Sequence, residues 1–188
     1  SPHIGCQKKC CLNLNLQEIK TRKVTSLEVF DTTTKKSLLF EATPDVISQW
    51  AMLRFPLCGI FLTHAHIGHY SGLLQLGREA LGAKKIPVYA MPKMHTFLGT
   101  NAPWSQLVTL QNITLKKLEN KKVVHPLEKV RVTPLRVPHR DEFSETVGYI
   151  ISGPQKTVLF VPDIDKWSLW EEELIYWLQK VDLAFIDA

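Results

Sequence analysis

The sequence has no apolar run near the roughly 20 residues needed to cross a bilayer. Its longest apolar stretch, VDLAFIDA at 181–188, reads as a buried strand. No signal-peptide pattern opens the chain, and neither an internal repeat nor a low-complexity linker interrupts it. The chain starts at Ser1 without a methionine and stops inside that last strand, so trimming at both ends is expected. Cysteine is scarce, with four in 188 residues. Three of them crowd into CQKKCC (Cys6, Cys10, Cys11), too tight for the disulfide framework of a small secreted domain. Reduced thiols and a cytoplasmic location are therefore expected. No arginine–aromatic pattern marks a nucleic-acid surface.

Hydrophobic residues make up 45% and charged residues 22% of the chain. Such a chain buries a core and is not of the disordered type. Its length suits one compact domain or most of one. The net charge of +5 is spread over lysine doublets such as Lys84-Lys85 and Lys121-Lys122, which read as solvated loops. Cys6, Cys10 and Cys11 offer three thiols for a possible structural zinc, with His3 as a candidate fourth ligand, although C-x-x-x-C-C is not a standard zinc spacing. The alternative is a reduced thiol cluster. Cys58 opens an apolar strand and reads as a small core residue.

VTSLEVF and SLLFEA read as paired strands around the polar DTTTKK. TPDVISQWAMLR reads as a helix, with Thr43 as cap, Pro44 in the first turn, and Val46, Ile47, Trp50 and Leu53 on one face. CGIFLT is a strand, and the spacing of Tyr70, Leu73, Leu74, Gly77 and Leu81 predicts a helix over 69–81. IPVYA is a strand and PKMHTFL a short helix, followed by a loop around TNAPWSQ. Four strand-like runs follow: ITLKKL, VRVTPLRV, TVGYIIS and TVLFV. WSLWEEELIYWLQK is a helix burying Trp167, Trp170, Leu174 and Trp177. Trp104, in the loop, is kept as a possible site contact. His95 and His125 have no motif partners and read as surface residues. The mixture predicts two sheets with helices on their outer faces.

Three histidines leave the CGIFLT strand together, at His64, His66 and His69. Side chains two apart on an extended segment point the same way, so His64 and His66 converge. His69 closes over the same point from the following helix. Neutral imidazoles in this arrangement suit zinc or iron. A lone histidine would read as a cap or a polar filler; three at one junction read as metal ligands.

THAHIGHYSG resembles the H-x-H-x-D-H-x-x-G signature of the metallo-β-lactamase fold superfamily. His139 in VPHRDEFSETVGY and Asp163 in TVLFVPDID follow in the order of that superfamily's further ligands. SPHIGC, LLFEATPDVISQ, PHRDEFSETVGY and VDLAFIDA are similar to the branch of pyrroloquinoline-quinone biosynthesis protein B and its uncharacterised relatives. The resemblance implies one α/β domain over 1–188, a four-layer αββα sandwich with an incomplete C-terminus. It also implies metal ligands His64, His66, His69, His139 and Asp163. Where binuclear members carry an aspartate ligand, this chain has Gly68. The superfamily's last histidine ligand would fall beyond residue 188. One strong site from His64, His66 and His139 with Asp163 alongside is therefore expected. The second, left with His69 and a share of Asp163, is expected to be weak or absent. Asp165, Asp141 or Glu142 would be substitutes there. Gly68 also has a local explanation, a sharp turn between His66 and the helix.

Three nitrogens and a water form the open tetrahedral site of catalytic zinc, which lowers the pKa of its water to about 7. The first reading is thus a metallo-hydrolase using metal-bound hydroxide on an ester, amide or phosphodiester-type substrate, with Asp163 and His69 as catalytic residues. Two other readings stand beside it: an iron-dependent oxygenase, as the resemblance to the quinone-biosynthesis branch implies, and a degenerate metal-binding module. The expected partner is a small-molecule or peptide substrate. The loop HRDEFSET is expected to wall the pocket, and Arg140 either binds an anion there or pairs with Asp141 or Glu142.

Overall fold

A computed structural model describes residues 5–187. Two short helices open it, α1 (Lys9–Leu12) and α2 (Leu16–Thr21). The second starts on a reciprocal capping box between Asn15 and Glu18. The first sheet then forms from β1 (Leu27–Asp31), β2 (Lys36–Phe40), β3 (Leu57–Phe61), β4 (Ile86–Ala90) and β5 (Ile113–Lys117), side by side in that order. β1 and β2 pair antiparallel, as the polar DTTTKK turn predicts, and the remaining pairs are parallel. Parallel strands need crossovers. These are α3 (Val46–Ala51), α4 (Ile67–Tyr70) with the 3₁₀ turn Ser71–Leu76 that continues it, and α5 (Pro92–Thr100) with α6 (Trp104–Thr109).

The second sheet contains β6 (Val124–Leu127), β7 (Val130–Arg136), β8 (Val147–Ser152) and β9 (Thr157–Val161), then β10 (Leu183–Ile186) beside β9. The 3₁₀ turn Trp167–Leu169 and α7 (Glu171–Leu178) cross between the last two strands. Strand periodicity sorts the side chains into three cores. Leu38, Phe40 and Phe61 face Tyr149 and Phe160 of the other sheet, whereas Leu39, Ile60 and Val88 face the helices. On the far side Leu135, Leu159 and Val161 meet Trp167, Trp170, Leu174 and Trp177. The result is the αββα sandwich.

Several elements depart from the sequence reading. The helix expected over 69–81 begins at Ile67, tightens into the 3₁₀ turn at Ser71 and ends at Leu76. The cause is Gly72, whose N–H bonds Ala42 O at 2.8 Å. A Cβ there would lie 2.1 Å from Thr43 O, so backbone contact with the exit of β2 fixes the winding. Leu74 and Leu81, placed on the buried face by periodicity, are consequently exposed. α3 is shorter than predicted and leaves Ile47 exposed. The loop at TNAPWSQ is confined to residues 101–103, with helix α6 beginning at Trp104, and β6 lies on a stretch whose Pro126 hides its strand character. Among the described residues β10 pairs only with β9 and leaves Leu183, Phe185 and Ile186 exposed, where a buried strand was expected. Among the described residues no helix is long and apolar enough to cross a membrane.

Candidate metal centre

β7 and β9 run alike, each antiparallel to β8; β2 and β3 run parallel to each other. Glu41 follows β2, Thr63 and His64 follow β3, His139 follows β7, and Asp163 follows β9. The carboxyl ends of four strands thus deliver the polar residues to one rim of the sandwich. Bonds between the sheets hold that rim together: Tyr149 donates its hydroxyl to Leu62 O, and Val147 N–H donates to Thr63 O at 3.2 Å.

At this rim His64, His66, His139 and Asp163 each turn one ligand atom inward, all four within 4.8 Å of one another. Asp163 Oδ2 lies 3.5 Å from His64 Nε2 and 3.4 Å from His139 Nε2. His139 Nε2 is 3.1 Å from His66 Nδ1. The outward nitrogens are held from behind. Thr63 Oγ1 is 2.8 Å from His64 Nδ1 and Glu142 Oε2 is 2.9 Å from His66 Nε2. Asp165 Oδ1 stands 2.7 Å from His139 Nδ1, out of line for a hydrogen bond. Backing of this kind fixes ring orientation and tautomer around metals.

Does the donor set fit a divalent cation? His64 Nε2 is buried and has no hydrogen-bond partner among the described residues, and an orphaned buried nitrogen is costly. Two further ring nitrogens and a carboxylate oxygen face the same point. Three imidazoles and a carboxylate can bind a metal at such spacing, and a shared cation would satisfy all four at once.

His69 stands beside this group. Its Nε2 is 3.5 Å from Asp163 Oδ2, and its Nδ1 is 3.3 Å from Glu41 Oε2. Burial opposes charge on His69, but the contacts to Asp163 and Glu41 outweigh it and raise its pKa to about 10. Burial pushes His64 down. The His64 and His69 rings, each 3.5 Å from its Oδ2, hold the Asp163 carboxyl well below the usual carboxylate range, and the bond to His66 lowers Glu142.

Glu41 was not singled out from the sequence. It is fully buried, accepts the Thr63 N–H at 3.0 Å, and sits at φ 78°, a left-handed conformation unusual for a glutamate. Its only sequence signal is a lone acid closing the apolar run SLLFE. Strain at a buried charged group points to the contacts it secures. Glu41→Ala is expected to cost about 1–3 kcal/mol, from the orphaned Thr63 N–H, whereas Glu41→Gln keeps that bond and recovers most of it. Urea unfolding of the two variants checks this; equal losses would mean that the Thr63 bond contributes little.

Gly68 needs a different account from the turn proposed for it. It lies inside α4 with no left-handed φ, and a Cβ there would meet nothing within 4 Å. The turn after His66 does not require glycine. None of the suggested substitutes joins the cluster as a ligand. Asp165 and Glu142 back the histidines, and Asp141 binds Thr146 and Arg136. Arg140 comes within 4.0 Å of neither Asp141 nor Glu142 among the described residues, but its charge helps to lower Glu142. The loop after His139 is tied down as well: Ser144 Oγ accepts Ala65 N–H at 2.8 Å and Glu145 accepts Lys93 N–H at 3.0 Å. Trp104 packs on Tyr70, next to His69, with ring centroids 4.9 Å apart.

Cys6, Cys10 and Cys11 also come together, their sulfurs within 4.8 Å of one another; His3 lies outside the described residues. Cys58 is half-buried against the inter-sheet core, His95 is half-buried, and His125 is exposed.

The sequence profile of the beta-lactamase superfamily domain matches residues 36–188. The chain belongs to the metallo-β-lactamase fold superfamily. Among solved structures it is similar to Zn²⁺-bound PqqB from Methylobacterium extorquens, with TM-score 0.73 and 20% identity over 89% of this chain and 60% of that one. It is also similar to a diphosphatase of the PhnP family, with TM-score 0.68 and 22% identity, covering 100% of this chain and 68% of that one. An N-acyl homoserine lactone lactonase gives TM-score 0.55 at 12% identity, over 87% of this chain and 78% of that one. No curated protein sequence matches. The chain therefore spans 60% of the length of the PqqB structure, and the superfamily fold is what these likenesses share.

Proposed function

We propose that the protein is a metal-dependent hydrolase acting on an ester, amide or phosphodiester-type substrate. The observation that carries this reading is the convergence of His64 Nε2, His66 Nδ1, His139 Nε2 and Asp163 Oδ2, with the His64 and His66 rings hydrogen-bonded on their far sides and Asp165 close behind His139. Zinc is the metal proposed, since a nitrogen-rich set with one carboxylate suits it and the PqqB relative is Zn²⁺-bound. When bound, it would supply a Lewis acid and a water acidified to a pKa of about 7.

The chain's own residues do the rest. Asp163 stays ionised and lies between His64, His69 and His139, where it orients the attacking water. His69, held at Nδ1 by Glu41, keeps a proton at Nε2 beside Asp163 for the departing group. Arg140, next to His139 and without an ion pair among the described residues, favours anionic substrates and so puts phosphodiesters first. The solved structures named as a diphosphatase and a lactonase support hydrolysis as the reaction class. Cys6, Cys10 and Cys11 are proposed as ligands of a separate structural zinc.

The oxygenase reading rests on the same donor set together with the likeness to PqqB. Turnover separates the two. The protein loaded with zinc or manganese is expected to cleave bis(4-nitrophenyl) phosphate or 4-nitrophenyl acetate, and to lose that activity to a chelator. Cleavage of neither, with oxygen uptake on iron loading, would replace hydrolysis with oxidation. Neither activity in either form would leave the metal-binding module.

A further inference from the structure

Loop 139–146 does more than back the histidines. Its Glu142 holds His66, and the next residue, Phe143, leans the other way onto α5 with its ring 5.9 Å from that of Phe97. Phe143 is 63% exposed, so most of its surface is left open. Between this loop, α5 and the end of β5 runs a groove of about 430 Å³ lined by Lys93, Phe97, Lys117 and Phe143.

Two features of the groove point to a ligand. Lys93 and Lys117 are both exposed and form no ion pair among the described residues, unlike Lys121, Lys122 and Lys156. The hydroxyls of Thr96 and Thr100 and the Asn101 amide already donate to backbone carbonyls of α5. The lysines are therefore the groove's uncommitted donors, set beside a pair of aromatic rings. A cation pair beside an aromatic wall suits a planar ring that carries a negative charge.

We propose that this groove is a substrate subsite for an anionic aromatic group, with the ring against Phe143 and Phe97 and the anion at Lys93 and Lys117. The loop links it to the metal centre, because adjacent residues, Glu142 and Phe143, face the two sites. A substrate seated here would present the rest of its length along the loop to His66 and Asp163. The turnover part of this assignment rests on the hydrolase reading; the binding part does not.

The test uses 1-naphthalenesulfonate, an aromatic anion that a hydrolase of this kind does not cleave, followed by its own fluorescence. Wild type is expected to bind it, and to bind neutral 2-naphthalenemethanol at least about tenfold more weakly. Lys93→Ala/Lys117→Ala should weaken sulfonate binding about tenfold or more, and Phe143→Ala by about 2–10-fold. His66→Ala should leave it within twofold. All these positions except His66 lie on the exposed surface, and circular dichroism confirms folding of each variant. No binding to wild type, or equal binding to the lysine variant, overturns the subsite and leaves the hydrolase reading intact. Binding lost in His66→Ala but kept in the lysine variant also overturns it, since the anion would then sit at the metal centre. Binding that follows the lysines in a protein that hydrolyses nothing sustains the subsite and sinks the hydrolase.

Discussion

Substituting His66 by alanine is expected to strip the rim site of its metal while leaving the fold in place. Even residues that only back a metal ligand typically cost about 10–100-fold in affinity. Loss of an inward nitrogen should therefore cost at least about a hundredfold. The effect on folding should be small, because the His66 side chain is 23% exposed and supports no core cluster. Elemental analysis of the protein, with His66→Ala and Cys10→Ala alongside, is the measurement. One metal per chain lost in His66→Ala supports the centre, and its identity as zinc or iron chooses between hydrolysis and oxidation. Metal lost only in Cys10→Ala assigns it to the thiols of Cys6, Cys10 and Cys11, and the rim reading fails.

Asp163→Asn should have the largest effect on turnover. The substitution keeps the shape of the side chain and removes the charge that sits within 3.5 Å of His64 Nε2 and His69 Nε2. If the carboxylate orients the attacking water, kcat on bis(4-nitrophenyl) phosphate should fall by about 10²–10⁴-fold at saturating metal. KM should move far less, because the proposed substrate contacts lie elsewhere. A variant that binds metal and retains kcat within threefold would remove Asp163 from catalysis. A variant whose activity returns fully at higher metal concentration would reduce its role to holding the ion.

Much of this was legible along the chain because it is local. His64 and His66 are two apart just past a strand, so the strand repeat already suggested their convergence; the rings lie 4.4 Å apart, although β3 ends at Phe61 and the chain bends at Ala65 between them. The paired strands around DTTTKK and the tryptophan face before β10 follow from the same kind of periodicity. Periodicity failed where a distant backbone intervened. Gly72 is drawn onto Ala42 and Thr43, and that contact, some thirty positions away, turns an expected long helix into a short helix and a 3₁₀ turn.

The functions of single acids were the least legible. Asp165, Asp141 and Glu142 had one common reading as spare ligands, but the packing of the loop onto His66, His139 and Arg136 gave each a different partner. Glu41 carried almost no signal, because its meaning depends on His69, 28 positions later, and on burial that only the closed sandwich provides.

The sequence by itself determined the donor types and the superfamily: three histidines at a strand exit, with a fourth histidine and an aspartate after later strands. The tertiary structure decided which atoms face one another, which carboxylates stand behind the rings, and that Gly68 fills no steric need. Spacing along a chain fixes only neighbours within one element. The geometry of the rim comes from strands of two sheets, joined by core packing that no local pattern records.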